Sequence, residues 1–214
     1  DMSQGSSFAS AFQSCSSLAT IGSGVLLGTA SSGVDFSYLF KNCGSLAALP
    51  AGLDLSKGDT FTSAFQSCGS LATIGTGVLL GTASTSVNFT KVFRATGITE
   101  LPAGLDMSQG GTFQGAFQNC LSLTTIGTGV LLGTASSSVD FSYSFNGCSA
   151  LTALPAGLDM SQGSSFFSAF ESCSSLATIG TGVLLGTAAS SVNFSSIFKS
   201  CTNLVTLPAN LNLS

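Results

Sequence analysis

The sequence predicts an α/β solenoid, a fold in which successive turns of the chain, called coils here, stack in a single row. Three observations predict it. The stretch IGTGVLLGTA starts at Ile74, Ile126 and Ile179, with a close variant at Ile21, so the starts lie 53, 52 and 53 residues apart. Each interval also contains the spacing FxxxFxxC and a short apolar alternation. Such fixed internal periods are typical of repeat architectures.

The repeat unit is about half of this interval. Its first phenylalanines are Phe8, Phe36, Phe61, Phe89, Phe113, Phe141, Phe166 and Phe194. The second phenylalanines are Phe12, Phe40, Phe65, Phe93, Phe117, Phe145, Phe170 and Phe198. The cysteines that follow are Cys15, Cys43, Cys68, Cys120, Cys148, Cys173 and Cys201, and the remaining unit has Thr96 in this place.

The units alternate between two lengths. Their first phenylalanines are 28, 25, 28, 24, 28, 25 and 28 residues apart, and the short step of 24 follows the unit with Thr96. The chain is therefore predicted to be a single solenoid, 1–214, of eight coils without capping units. Its doublets of about 53 residues are 1–53, 54–105, 106–158 and 159–211.

A helical turn is predicted for FxxxFxxC. Its two phenylalanines, its cysteine and a following leucine stand at positions 0, 4, 7 and 10, which places them on one face of a helix. The residue before every first phenylalanine is Ser, Thr, Asp or Asn, the types that cap helix N-termini. A VxL or LxL alternation then indicates a strand. The alternative is that residues 34–36 and their copies are themselves strands.

The coils are predicted to stack, because a single unit cannot bury its own apolar face and must pack it against a neighbouring unit. The phenylalanines and cysteines are predicted to form inward ladders, with strands pairing at about 4.8 Å per coil. IGTGVLLGTA then supplies inward Ile, Val and Leu and the turn to the next coil. Without visible caps, the chain is predicted either to belong to a longer array or to stack its ends on copies of itself.

The stretch AFQSCGSLATI, at residues 64–74, resembles the repeats of bacterial surface leucine-rich-repeat proteins of the BspA type and the related repeat of mycoplasma-type surface lipoproteins. The resemblance covers essentially the whole chain. It implies a leucine-rich-repeat-like fold, an extracellular or cell-surface location, and a role in adhesion or recognition. The chain departs from the common pattern in lacking an asparagine ladder and in its unequal doublet. A parallel β-helix is therefore the alternative fold.

The composition excludes several classes of partner. Only 7% of residues are charged, the net charge is −4 and the mean hydropathy is +0.52, so Ser, Thr, Gly and Asn must cover the surface. No nucleic-acid partner is predicted, because a basic footprint is missing. The five cations, which do not cluster beyond Lys91 and Arg94, are Lys41, Lys57, Lys91, Arg94 and Lys199. Membrane insertion is not predicted either, since no run approaches the roughly 18 apolar residues required.

The cysteines are predicted to be buried small hydrophobes. Zinc sites favour close pairs such as CxxC, whereas the nearest cysteines here are 25 residues apart. Ladder side chains run parallel instead of pointing at each other, which disfavours disulfides, and Thr96 replaces one cysteine at modest cost. No metal and no cofactor are predicted.

No enzyme is predicted. The chain has no histidine, and its acids mostly recur at repeat phases, whereas catalysis needs one unique constellation. Asp54, Asp106 and Asp159, with Asn212 in the fourth copy, form the best polar row. The favoured interpretation is that they stabilise turns, and the alternative is a row of calcium ligands.

Thr76, Thr128 and Thr181 form a candidate surface ladder. A flat array of hydroxyls and methyls suits an ice lattice or a carbohydrate, but the favoured interpretation is that they solvate turns. The function predicted overall is a non-enzymatic extracellular or cell-surface repeat scaffold for adhesion or for protein or glycan recognition. The alternatives are a fibre module that self-assembles through its end coils and, more weakly, an ice-binding protein.

Overall fold

The computed structural model describes residues 2–188, 190–209 and 211, which form a parallel β-solenoid of short strands joined by turns. No helix occurs among these residues. The predicted solenoid is therefore confirmed, but its α/β, leucine-rich-repeat-like version is wrong. The alternative, a parallel β-helix, is the fold observed.

The described residues contain eighteen strands of two or three residues each. In chain order they are β1 (Val34–Asp35), β2 (Ala48–Leu49), β3 (Asp54–Leu55), β4 (Gly58–Thr60), β5 (Thr73–Ile74), β6 (Leu79–Leu80), β7 (Val87–Asn88), β8 (Glu100–Leu101), β9 (Asp106–Met107), β10 (Gly110–Thr112), β11 (Thr125–Ile126), β12 (Leu131–Leu132), β13 (Val139–Asp140), β14 (Ala153–Leu154), β15 (Asp159–Met160), β16 (Gly163–Ser165), β17 (Thr178–Ile179) and β18 (Leu184–Leu185).

All strand pairs join neighbouring coils in parallel. One six-stranded sheet has the order β1-β4-β7-β10-β13-β16. The two-stranded sheets are β2 with β5, β3 with β6, β8 with β11, β9 with β12, β14 with β17 and β15 with β18. Single bridges, Ser7 to Asp35 and Ser165 to Asn193, continue the long sheet by one coil at each end. Each coil thus has three strand positions, and FxxxFxxC follows the first.

The two coil lengths arise at one corner. A long coil passes from Leu80 to Val87, seven positions on, whereas a short coil passes from Leu55 to Gly58, three positions on. Strand β4 then contains a bulge, so that its three residues oppose the two residues of β1. The tighter turn removes four residues and the bulge restores one, which accounts for the steps of 28 and 25.

FxxxFxxC is a run of β-turns, and the predicted helical turn is wrong. In the coil that begins at Phe36, Tyr38 and Asn42 have φ values of 58° and 62°, and both positions have positive φ in every coil. Because a right-handed helix needs negative φ at every residue, these segments are not helical. The spacing of four between the phenylalanines comes instead from a left-handed residue at every fourth position. The N–H groups also bond across coils, as from Phe40 to the carbonyl of Ala64 at 2.7 Å.

The residues predicted as helix caps end the strands of the long sheet and start these turns. Asp35 Oδ1 accepts the N–H of Ser37 at 2.8 Å, and Asn88 Oδ1 accepts that of Thr90 at 2.9 Å. An Asx-turn of this kind satisfies a backbone donor without a helix. The alternative prediction, a strand beginning at Val34, is confirmed by β1.

Two columns of stacked rings fill the interior. Neighbouring first phenylalanines have centroids 5.2–5.7 Å apart. Neighbouring second phenylalanines are 5.0–5.8 Å apart, with ring planes within 16° of parallel. Aromatic rings favour such offset stacking over direct overlap. The leucine, isoleucine and valine side chains of the strands complete one continuous core.

Candidate functional site

The ladder residues singled out in the sequence lie along the core. Among the second phenylalanines, those of the six central coils are buried, and Phe12 and Phe198 in the end coils are half-buried. Cys15 is exposed, and the other six cysteines are buried. The structure therefore brings the ladder residues of the central coils together in the interior, away from any ligand, while the ladder ends at Phe12, Cys15 and Phe198 reach the surface.

The cysteine ladder has a regular hydrogen-bond pattern. Cys68 donates its thiol hydrogen to the carbonyl of Phe40 in the preceding coil, with Sγ 3.0 Å from the oxygen, and Cys173 donates to Phe145 at 3.2 Å. Burial raises the pKa of the Cys68 and Cys173 thiols to about 12. Thr96 hydrogen-bonds within its own coil, to the carbonyl of Phe93 at 2.8 Å. Cys68 and Cys173 are therefore protonated, inert thiols at neutral pH.

The threonine ladder is discontinuous. Thr76, Thr128 and Thr181 are exposed in the turn between the second and third strand positions of the long coils. The carbonyl of Thr76 accepts the N–H of Gly52 at 2.9 Å. By the register of the flanking strands, an alanine stands opposite each of these threonines in the neighbouring short coil. The three hydroxyls are therefore two coils apart and do not form a flat array.

The aspartate row stabilises turns. Asp54, Asp106 and Asp159 each turn Oδ1 towards the N–H of the serine two residues later, at 2.9 Å in every case. The favoured interpretation is confirmed for these three, while Asn212 lies outside the described residues. The described part of the chain holds no group of three or more His, Cys, Asp or Glu placed to bind a metal.

A surface outside these ladders carries four of the five cations and both tyrosines. We call it the turn face, and define it as the outward side of the eight FxxxFxxC segments. Side chains one, two and five positions after each first phenylalanine lie on it. The segments contain Lys41, Lys91, Arg94 and Lys199 but only one acid, Glu171, so their net charge is +3. The rest of the chain has one cation and eight acids, a net charge of −7.

Sequence reasoning grouped only Lys91 with Arg94 among the cations. Lys41, Arg94 and Lys199 are far apart in sequence but share one phase of the repeat, five positions after the first phenylalanine. Stacking of equivalent coils places equal phases in one row. Aligning the charged residues by phase is the sequence signal that finds this surface.

Both tyrosines lie on the turn face, two positions after the first phenylalanine. Tyr38 and Tyr143 each have φ of 58°, and Lys91 at the same phase has φ of 56°. This position has positive φ in all eight coils, so the conformation belongs to the fold, and the bulky side chains are the departure because such residues rarely adopt it. The Lys41 ammonium lies 5.0 Å from the centroid of the Tyr38 ring, within range of a cation–π interaction.

A cavity of about 240 Å³ opens in the middle of the turn face, lined by Lys91, Gln114, Gly115, Gln118 and Tyr143. It spans three coils, with Lys91 at one end, Tyr143 at the other and Gly115 in the coil between them. Gln118 donates its side-chain N–H to Asn146 Oδ1 at 3.2 Å, which leaves its own Oε1 as an acceptor. The cavity therefore combines a cation, two amides and an aromatic ring.

Comparison with family models, with curated proteins and with solved structures finds no match for this chain. The likeness of FxxxFxxC to BspA-type repeats thus stays a prediction. Among the described residues, no helix is long and apolar enough to cross a membrane.

Proposed function

We propose that the chain is a non-enzymatic recognition scaffold, located outside the cell or on a cell surface, whose turn face binds an acidic macromolecular ligand in adhesion. One observation carries the proposal. A chain of net charge −4 gathers four of its five cations and both of its tyrosines on one side. Tyrosine and arginine are enriched in binding surfaces, and a locally positive surface steers an acidic partner towards it.

Rigidity of the support favours recognition of a ligand. Backbone hydrogen bonds between coils hold the turn segments at every second residue, as from Tyr38 to Thr62 at 2.9 Å and from Asn42 to Gln66 at 2.9 Å. Side chains on such a frame lose little further backbone entropy when they bind a ligand. A repeated scaffold of this kind presents a long surface, which suits an extended partner.

The buried thiols of the ladder are compatible with an extracellular location, whereas Cys15 in the first coil is exposed. Unpaired cysteines are uncommon in oxidising compartments, where exposed thiols form disulfides. Here burial raises the pKa of the Cys43, Cys148 and Cys201 thiols as well as those of Cys68 and Cys173. Disulfide exchange needs an accessible thiolate, so these cysteines are protected.

The test is binding of the full chain to immobilised acidic polysaccharides, neutral polysaccharides and matrix proteins over a range of salt concentrations. A variant with Lys41, Lys91 and Arg94 all changed to serine removes most of the turn-face charge, and Lys57→Ser is the control because Lys57 lies elsewhere. We expect binding to an acidic ligand that weakens with salt, disappears in the triple variant and survives in the control. Equal binding by a folded triple variant contradicts the proposal.

A further inference from the structure

Departures from the repeat are concentrated around the central cavity. Gly115 stands where the other long coils have Ser10, Ser63 and Ser168, all with φ between 53° and 59°. A Cβ at residue 115 would lie 3.4 Å from both Gln118 Oε1 and Lys91 Cγ. Because Gly115 has no side chain, its backbone forms the floor of the cavity.

The side of the cavity at Tyr143 also contains a residue that departs from the repeat. Phe167 is the one phenylalanine outside the repeat pattern, and its ring meets that of Tyr143 edge-on, with centroids 5.2 Å apart and planes at 82°. Edge-to-face contact of this kind fixes the orientation of an aromatic ring. The tyrosine is thus braced from the side of the next coil, while the cavity lies on the side of Gly115.

A third departure lies beside this tyrosine. Ser144 occupies a position where the equivalent coils have Leu39, Val92 and Ile197. Its side chain is fully buried, and its hydroxyl has no hydrogen-bond partner among the described residues. Replacing a large aliphatic side chain by an unpaired hydroxyl destabilises a fold. The coil that carries Tyr143 therefore departs from the pattern that best stabilises the solenoid.

The chemistry of the cavity selects a ligand class. The Lys91 ammonium suits a carboxylate, and the Gln118 Oε1 above the floor suits a hydroxyl donor. Gln114 adds a second amide, and the Tyr143 ring offers an apolar face with a polar edge. We infer that this cavity binds one uronic acid residue of an extended acidic polysaccharide. The inference rests on the proposed function of the turn face and names its ligand.

The spacing of the turn face fits such a chain. Tyr38, Lys91 and Tyr143 recur on alternate coils, about 9.6 Å apart for two strand spacings. This distance is close to the length of one disaccharide unit of an extended polysaccharide running along the stack. The small residues between them, Ser63 and Gly115, are buried and leave shallow gaps. Nucleic acid is the other polyanion that a cationic surface can bind, so the test includes it as a comparison ligand.

The experiment is isothermal titration calorimetry of the full chain with a trisaccharide of galacturonic acid. The corresponding neutral galactose trisaccharide and a short single-stranded DNA are the comparison ligands. The variants Tyr143→Ser, Lys91→Ser and Gly115→Ser are compatible with the fold, because sister coils carry serine at this phase with positive φ. Lys57→Ser, which removes a cation outside the turn face, is the control.

We expect each cavity variant to weaken binding of the acidic trisaccharide by about tenfold, while Lys57→Ser changes it by less than about twofold. The inference is overturned, with the function of the turn face intact, if acidic polysaccharides bind but the cavity variants behave like Lys57→Ser. Tighter binding of the neutral trisaccharide or of DNA also overturns it. If no acidic polysaccharide or matrix protein binds at all, the proposed function fails together with the inference.

Discussion

The interior ladders and the turn face adjoin each other along the same segments, yet their sequences behave differently. The second phenylalanine is identical in all eight units, and cysteine fills its place in seven. Two positions after the first phenylalanine, by contrast, Ser, Tyr, Lys and Gly all occur. Stacking tolerates little change inside, because each ring packs on the equivalent ring of the next coil. Positions on the outside are free of this packing constraint, so several residue types are accommodated there.

The largest expected effect is on the interior side of this comparison. Phe117→Ala deletes a fully buried ring from the middle of its column and should lower the free energy of unfolding by about 3–5 kcal/mol. The matched change Phe167→Ala removes a half-buried ring of the turn face and should lower it by about 1 kcal/mol. Urea unfolding followed by circular dichroism measures both. Equal losses would show that the two regions do not differ in their contribution to stability.

The next largest effect on stability is a pH dependence caused by the buried thiols. The pKa of Cys68 and Cys173 is about 12 in the folded chain, raised from 9.0, so the unfolded chain loses these protons at a lower pH. The contribution of these two thiols to the free energy of unfolding should therefore be constant below pH 9 and fall between pH 9 and 12. The slope expected is roughly 1.4 kcal/mol per pH unit for each such thiol.

Melting temperatures measured across this pH range check the effect. The double variant Cys68→Ala/Cys173→Ala is the control, and its melting temperature should fall less steeply. An identical pH dependence in both proteins would mean that the thiols are not the cause.

A smaller effect is expected at the aspartate row. Asp106→Ala removes the acceptor for the N–H of Ser108 and should cost about 1 kcal/mol of stability. Glu100→Ala, at an exposed position of strand β8, should change stability by less than about 0.5 kcal/mol. Thermal unfolding of the two variants separates a turn-stabilising carboxylate from a solvated one. The account of this row is wrong if Asp106→Ala unfolds at the wild-type temperature.

The smallest effect on stability is expected on the turn face itself. Lys91→Ser replaces a half-buried residue of positive φ by the residue that sister coils have there, so stability should stay within about 0.5 kcal/mol of wild type. The same variant should lose ligand affinity. A large loss of stability would assign Lys91 to the scaffold and remove the contrast between the two regions.

Sequence reasoning predicted the stacking, its register and the strands of the VxL and LxL alternations, such as β3 and β6, but not the turn conformation of FxxxFxxC. The recurrence of Phe and Cys at constant phase is enough to predict a solenoid, because only stacking buries such units. The spacing of four indicated a helix, since that period does not distinguish a helical face from turns with a left-handed residue at every fourth position. Ser, Asn and Gly at positions such as Ser67, Asn119 and Gly147 were the available signal.

Only part of the candidate site could be predicted from the sequence. Thr76, Thr128 and Thr181 stood out because they repeat, yet a repeated feature belongs to the architecture. The cavity is formed by residues that break the repeat, such as Gln114, Gly115 and Tyr143, and their proximity depends on which side chains point outward. That orientation follows from the turn conformation, which the helical interpretation had missed.

The measurement that tests the central claim most directly is a ¹H–¹⁵N NMR titration of the wild-type chain with the acidic trisaccharide. The account predicts saturable shifts confined to the turn segments around the cavity, at residues 90–94, 114–118 and 142–146. Shifts centred instead on the sheet side, at β11 and β12, would contradict the assignment of the turn face as the binding surface.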